Sequence, residues 1–252
     1  LDAAALPVGA DGWLAYPEDY HFWLAPWLHA FGGSIFDTDN VTPKLDSPEM
    51  VDALGFVLQL RALLPPDADG DGIVDYDQAH DAFLDGSVAM VINGDWARHE
   101  YEETLGSDLG FVALPQMSSE HSADERWPAP YSDGYGFYIV DRGDNELEED
   151  LYNLLDIHFS GTDIEEQYEA FYTDGGSIGA VQMPADLSVQ NLPGITDWFK
   201  DDYAPILDNT VPMPFVGEIW HVWEAIEQNL PLVMTGDLTP TEGAAAMQED
   251  LP

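Results

Sequence analysis

Cysteine is absent from all 252 residues, which excludes disulfide staples, thiolate catalysis and cysteine-ligated zinc. Basic side chains are nearly as scarce, 6 Lys and Arg against 49 Asp and Glu, for a formal net charge of −43. The acids run along the whole chain rather than gathering in one block, which describes a solvated surface. Nucleic acid and anionic membrane surfaces are poor partners for such a charge. Self-repulsion of this size weakens a compact fold at low ionic strength, and concentrated salt screens it. A salt-rich environment is expected, with halophilic archaea as the source class. No stretch of 18 apolar residues occurs, so no helix is expected to span a bilayer. The chain opens at Leu1 rather than Met, and upstream processing or truncation is expected.

Catalytic signatures are missing as well. H-E-x-x-H, G-x-G-x-x-G and G-K-[ST] do not occur. The seven histidines (His21, His29, His80, His99, His121, His158 and His221) include no i, i+4 pair beside an acid that suggests zinc. Carboxylate pairs abound, and none is singled out at a spacing that glycoside hydrolysis requires. The chain is read as a non-enzyme.

What is present suits a packed core: 45% apolar residues, with 8 Trp, 11 Tyr and 11 Phe. The length allows one large domain or two ordinary ones. A strand is expected near Trp13–Tyr16, then an aromatic-rich helix opened by Pro17-Glu18-Asp19 and closed by Gly32-Gly33. Trp23, Trp27 and Ala30 fall at i, i+4 and i+7 and should form its one buried face. Ser47 as N-cap and Pro48 at the first position open a second helix, with Val51, Leu54, Val57, Leu58 and Arg61 on one side. Pro65-Pro66 stops it. The apolar run Val88–Ile92, bounded by turn residues, predicts a strand covered on both faces. Further strands are expected over 109–114 and 135–140. Helices are expected over 145–159, with Leu147, Leu151, Leu154 and Leu155 inward, and over 162–172, 194–204, 216–230 and 239–249. The last is headed by the capping box Thr239-Pro240-Thr241-Glu242. Alternation of helices with short buried strands is an α/β pattern.

Two stretches invite a chemical reading. Val88–Ile92 runs into Asn93-Gly94-Asp95 and then Trp96. A large aromatic beyond the carboxyl end of a strand lies where open α/β sheets bind ligands; packing in the core explains Trp96 equally well. The second stretch, Asp67 to Gln78, matches the calcium-loop pattern through Asp67, Asp69 and Asp71, Gly72 and Val74, with Asp75 at the ninth position. Gln78 stands where a bidentate Glu is usual, and Pro65-Pro66 breaks the preceding helix. Structural calcium and an acidic loop that caps the next helix both remain open.

The ordered set Phe83, Gly86, Ala89, Met90, Gly94, Trp96, Leu114-Pro115, joined later by SIGAV at 177–181, the Trp220 helix and TPTEGAAA, resembles extracellular solute-binding proteins. The likeness is to the maltose-binding-protein type that serves ATP-binding-cassette sugar importers, and it covers nearly the whole chain. It implies a periplasmic-binding-protein-like (type II) two-lobe fold, mainly the second lobe plus a returning part of the first, with the first lobe's opening segment missing. Residues 1–133 and 194–252 would then be second lobe and 134–193 the returning piece. The resemblance also implies a sugar or oligosaccharide ligand, permease transmembrane subunits as partners, a monomer, and an extracellular, cell-surface-anchored protein. Trp96 and Trp220 would stack on the sugar, and Tyr20, His21 and Phe22 would line the cleft. Asp95 and Asp133 would accept from hydroxyls, with Tyr135 beside them, while Trp23 and Trp27 belong to the core. Glu224 stands where the maltose binder has a basic residue, so specificity should differ. The alternatives are a carbohydrate-acting hydrolase and a calcium-stabilised interaction module.

Overall fold

The computed structural model describes residues 10–117, 126–133, 145–159 and 204–252. Two compact units emerge. One comprises residues 1–93, 113–132 and 209–252, the other 94–112 and 133–208.

The first unit begins with β1 (Gly12–Ala15), which pairs in parallel with β2 (Val88–Val91) in the register Leu14↔Met90. Between them run α1 (His21–Ala30), α2 (Pro48–Leu60) and α3 (Tyr76–Leu84). A parallel pair needs such a long crossover, because its strands cannot be joined by a tight turn. Ala15, Val74, Ala79 and Val88 form a small core where α3 covers this pair. Expected coverage of β2 on both faces does not hold: Ala89 is exposed and Met90 is 43% exposed. The expected strand over 109–114 is likewise absent, and Val112 stands 86% exposed. A continuous apolar run alone does not distinguish a doubly covered strand from a half-covered one.

A larger core holds α1, α2, α7 (Ile219–Thr235) and α8 (Pro240–Glu249) together through Leu28, Leu45, Met50, Leu54, Ile226 and Met247. Each such side chain contributes about 1.5–3 kcal/mol on burial. α1 opens at His21 rather than at Pro17, and it is buried nearly all round, not along one face. A helix apolar on every side belongs inside a layer of other helices. In α2, Ser47 caps by accepting from the Met50 N–H at 3.1 Å. Its buried stripe is Met50, Ala53, Leu54 and Val57, a rotation of the expected one. α7 starts and ends later than expected and contains Pro231. Gly243 explains how α8 sits so close to α7: a Cβ there would collide with Val233 Cγ2. The capping box heading α8 is formed in both directions, Thr239 with Glu242.

The first unit also contains a second short parallel pair, β3 (Tyr131–Ser132) with β4 (Val211–Pro212).

In the second unit the described elements are α4 (Arg98–Leu105), α5 (Asn145–Phe159) and α6 (Ala204–Leu207). Leu151 and Leu154 of α5, expected inward, are exposed together with Tyr152. The expected strand over 135–140, the helix over 162–172, SIGAV at 177–181 and nearly all of the helix over 194–204 lie outside the described residues.

Candidate functional site

The start of α1 and the first turns of α7 bring four rings together in the first unit. Glu18 sets the entry to α1. Its buried carboxylate accepts from Arg61 Nη1 at 3.1 Å and from the Val74 N–H at 3.0 Å. Burial nevertheless holds its pKa above the ordinary range. Tyr20 follows as the helix N-cap, 44% exposed, and its ring lies 4.5 Å from that of His21. His21 itself is buried. Its imidazole stacks on Trp223 at 4.5 Å and 12°, and Nδ1 lies 2.6 Å from Glu227 Oε1. Trp223 in turn meets Trp220 edge to face at 4.9 Å and 82°. Trp220 is 71% exposed.

The protonation of this pair follows from burial. Desolvation lowers His21 to about 4, and desolvation, then the Asp19 charge, raises Glu227. Both shifts favour neutral forms, so the short contact is not an ion pair of imidazolium with carboxylate. At neutral pH the imidazole is uncharged, and an Nδ1–H donated to an ionised Glu227 carboxylate accounts for the 2.6 Å contact. Asp19 is itself raised, chiefly by burial and then by the Asp75 and Asp71 charges.

Of the residues expected to line a cleft, Tyr20 offers an open ring, and Phe22 is half-buried against Trp23 and Tyr131, 5.4 and 6.2 Å away. His21 offers no open face; it underlies the others. Trp23 and Trp27 are core, as expected, and Trp23 Nε1 donates to the Ile92 carbonyl at 2.9 Å. Trp223 was not singled out by sequence reasoning. Its spacing from Trp220, i and i+3 on one helix face, was the available signal.

Asp95 and Trp96 belong to the second unit, as does exposed Asp133. Asp95, Trp96 and Ala97 form a 3-10 turn leading into α4. The Trp96 ring folds back over Gly94, where a Cβ would collide with Cζ3. Only glycine fits beneath the ring, and the indole stays half-exposed. Tyr135 lies outside the described residues.

Carboxylate oxygens of Asp67, Asp69 and Asp71 lie within 4.8 Å of one another. Asp67 accepts from the N–H groups of Asp69, Gly70 and Gly72, at 3.0, 3.1 and 2.7 Å. These bonds hold its pKa low, led by the one from Gly72. Asp75 is not part of the cluster. It caps α3, accepting from the Gln78 N–H at 2.8 Å, and Gln78 Oε1 accepts from the Ala68 N–H at 3.3 Å. The expected ninth- and twelfth-position ligands are thus occupied in holding the loop and the helix start.

The family model for bacterial extracellular solute-binding proteins matches residues 1–203. The maltotriose-binding protein of Pyrococcus abyssi is 29% identical over 119 residues, which cover 47% of this chain and 24% of the relative. Among solved structures, a maltose/maltodextrin-binding domain of Bdellovibrio bacteriovorus bound to maltotriose superposes with a TM-score of 0.73 at 24% identity. It covers 96% of this chain and 59% of that one. The maltose-maltodextrin binding protein of Alicyclobacillus acidocaldarius gives 0.71 at 19% identity, covering 95% and 62%. The acarbose-binding GacH receptor of Streptomyces glaucescens gives 0.65 at 23%, covering 96% and 58%. The fold is thereby of the periplasmic-binding-protein type, and the chain spans about three fifths of these solved structures.

Proposed function

The chain belongs to the bacterial extracellular solute-binding proteins, and we propose that it takes part in binding a maltodextrin-like sugar for an ATP-binding-cassette importer. The observation that carries this reading is the exposed Trp220 ring, braced by Trp223 and accompanied by open Tyr20. A sugar presents an apolar C–H face and a polar rim. Exposed rings beside a carboxylate such as Asp19 match both. Trp96, seated over Gly94 with Asp95 beside it, is a separate candidate stacking face on the second unit. Two relatives whose names or bound ligand include maltotriose support the choice of sugar.

Residues 1–133 and 194–252 are assigned to the second lobe and 134–193 to the returning piece of the first. The break between compact units at Ser132 and Asp133 coincides with the first boundary, while residues 94–112 and the stretch up to Asp208 fall in the other unit. Permease subunits are the partners, the protein is a monomer anchored at the cell surface, and it binds without turning sugar over. The acid-rich composition is read as adaptation to concentrated salt. Asp67, Asp69 and Asp71 are where a structural calcium would sit. Calorimetry in concentrated sodium chloride with maltotriose, maltose, glucose and glycerol tests the reading, with product analysis alongside. Maltotriose should bind and remain intact. Binding of none of the panel, or release of glucose, would overturn it.

A further inference from the structure

Trp223 is held in an unusual way. Its indole Nε1 is buried and has no hydrogen-bond partner among the described residues. Ring contacts remain: His21 flat against one face at 4.5 Å, and Trp220 edge-on at 4.9 Å. A small apolar hollow bounded by His21, Leu28, Tyr131, Trp223 and Ile226 lies beside it. His21 in turn is anchored through Nδ1 to Glu227, one turn beyond Trp223 on α7. Two residues 206 positions apart in the chain thus meet beside the ring that Trp220 packs against.

We propose that Glu227 and His21 are positioning residues for the sugar-stacking surface. The carboxylate fixes the imidazole, the imidazole fixes the Trp223 ring, and Trp223 fixes Trp220. This rests on the sugar-binding reading for its purpose, while the chain of contacts stands without it. The groups facing the pair are Asp19 and Tyr20 at the α1 entry and Tyr131 from β3, while α2 presents apolar Met50 to the same hollow. Protonating Glu227 removes the charge assistance of its hydrogen bond from His21. Binding should then weaken on the acid side through this pair.

The test compares the full chain with Glu227→Ala and Glu227→Gln in concentrated sodium chloride, each first shown to melt cooperatively. Near-ultraviolet circular dichroism, referenced to Trp220→Ala, isolates the coupled Trp220–Trp223 signal without any ligand. Glu227→Ala should lose that signal and bind maltotriose roughly tenfold more weakly, the size of one net hydrogen bond. Glu227→Gln keeps an acceptor, so it should restore the signal and most of the affinity, and it should flatten the acid limb of the binding profile. An unchanged Trp220–Trp223 signal in Glu227→Ala would overturn the positioning role. So would a lost signal with undiminished affinity, or a Gln variant no better than Ala. If the unaltered chain binds no maltotriose, the sugar reading fails, and the dichroism alone still decides whether the pair orients the rings.

Discussion

The two exposed aromatic regions are built on different principles. Trp96 is placed by its own turn: a 3-10 turn after Gly94 folds the indole back over the glycine two residues earlier. Trp220 is placed by partners far away in the chain. It leans on Trp223, which leans on His21 from α1, which Glu227 holds. A local device depends on a few consecutive residues, and a tertiary one depends on two helices packing correctly. The first should tolerate changes elsewhere in the molecule, and the second should register acid, salt and core substitutions.

The largest expected contrast is in pH dependence. Burial lowers His21 from 6.5 to about 4, so between those values the unfolded chain binds a proton that the folded chain does not. Stability from this group is full above 6.5 and is lost as pH falls toward 4, by about 3 kcal/mol. His29, also lowered by burial, acts in the same direction. Glu227 is raised; its contribution has the opposite sign and is lost as pH rises through its folded value. Denaturant titrations in concentrated salt should therefore show a steep acid loss in the unaltered chain and a shallower one in His21→Asn. Equal slopes would remove His21 from the account.

A smaller effect separates the regions from the other side. Gly94→Ala inserts a methyl where the Trp96 ring now lies, so the ring must move. Affinity for maltotriose should fall about tenfold, while the Trp220–Trp223 dichroism stays as it was. A change in that dichroism would show that the two regions are not independent. Smallest of all, calcium should raise the melting temperature by a few degrees through Asp67, Asp69 and Asp71, and a chelator should reverse it. Insensitivity to both would leave the loop held by its own hydrogen bonds. Neither treatment should alter either aromatic signal.

The same contrast governs how much was legible beforehand. Local devices read well: the Ser47 cap with Pro48 behind it, the Thr239–Glu242 box, and Trp96 after its glycine. Each depends on side chains within a few positions of one another. Tertiary facts read poorly. Nothing in the spacing shows that His21 would be buried under Tyr20 and anchored by Glu227, because that pairing requires α1 to meet α7. The exposure of Met90 and Leu154 escaped for the same reason. An apolar residue signals a preference for burial, and only the surrounding elements decide whether it is covered. Asp75 shows competition between two local rules, with helix capping taking a carboxylate that the calcium pattern would have used.

The most direct measurement is a maltotriose titration, by calorimetry in concentrated sodium chloride, of the unaltered chain against Trp220→Ala. Trp220 is 71% exposed, so its removal should leave the melting temperature nearly unchanged while affinity falls by about 2 kcal/mol, roughly thirtyfold. Undiminished affinity in that variant, with the fold intact, would contradict the claim that this ring is where the sugar stacks.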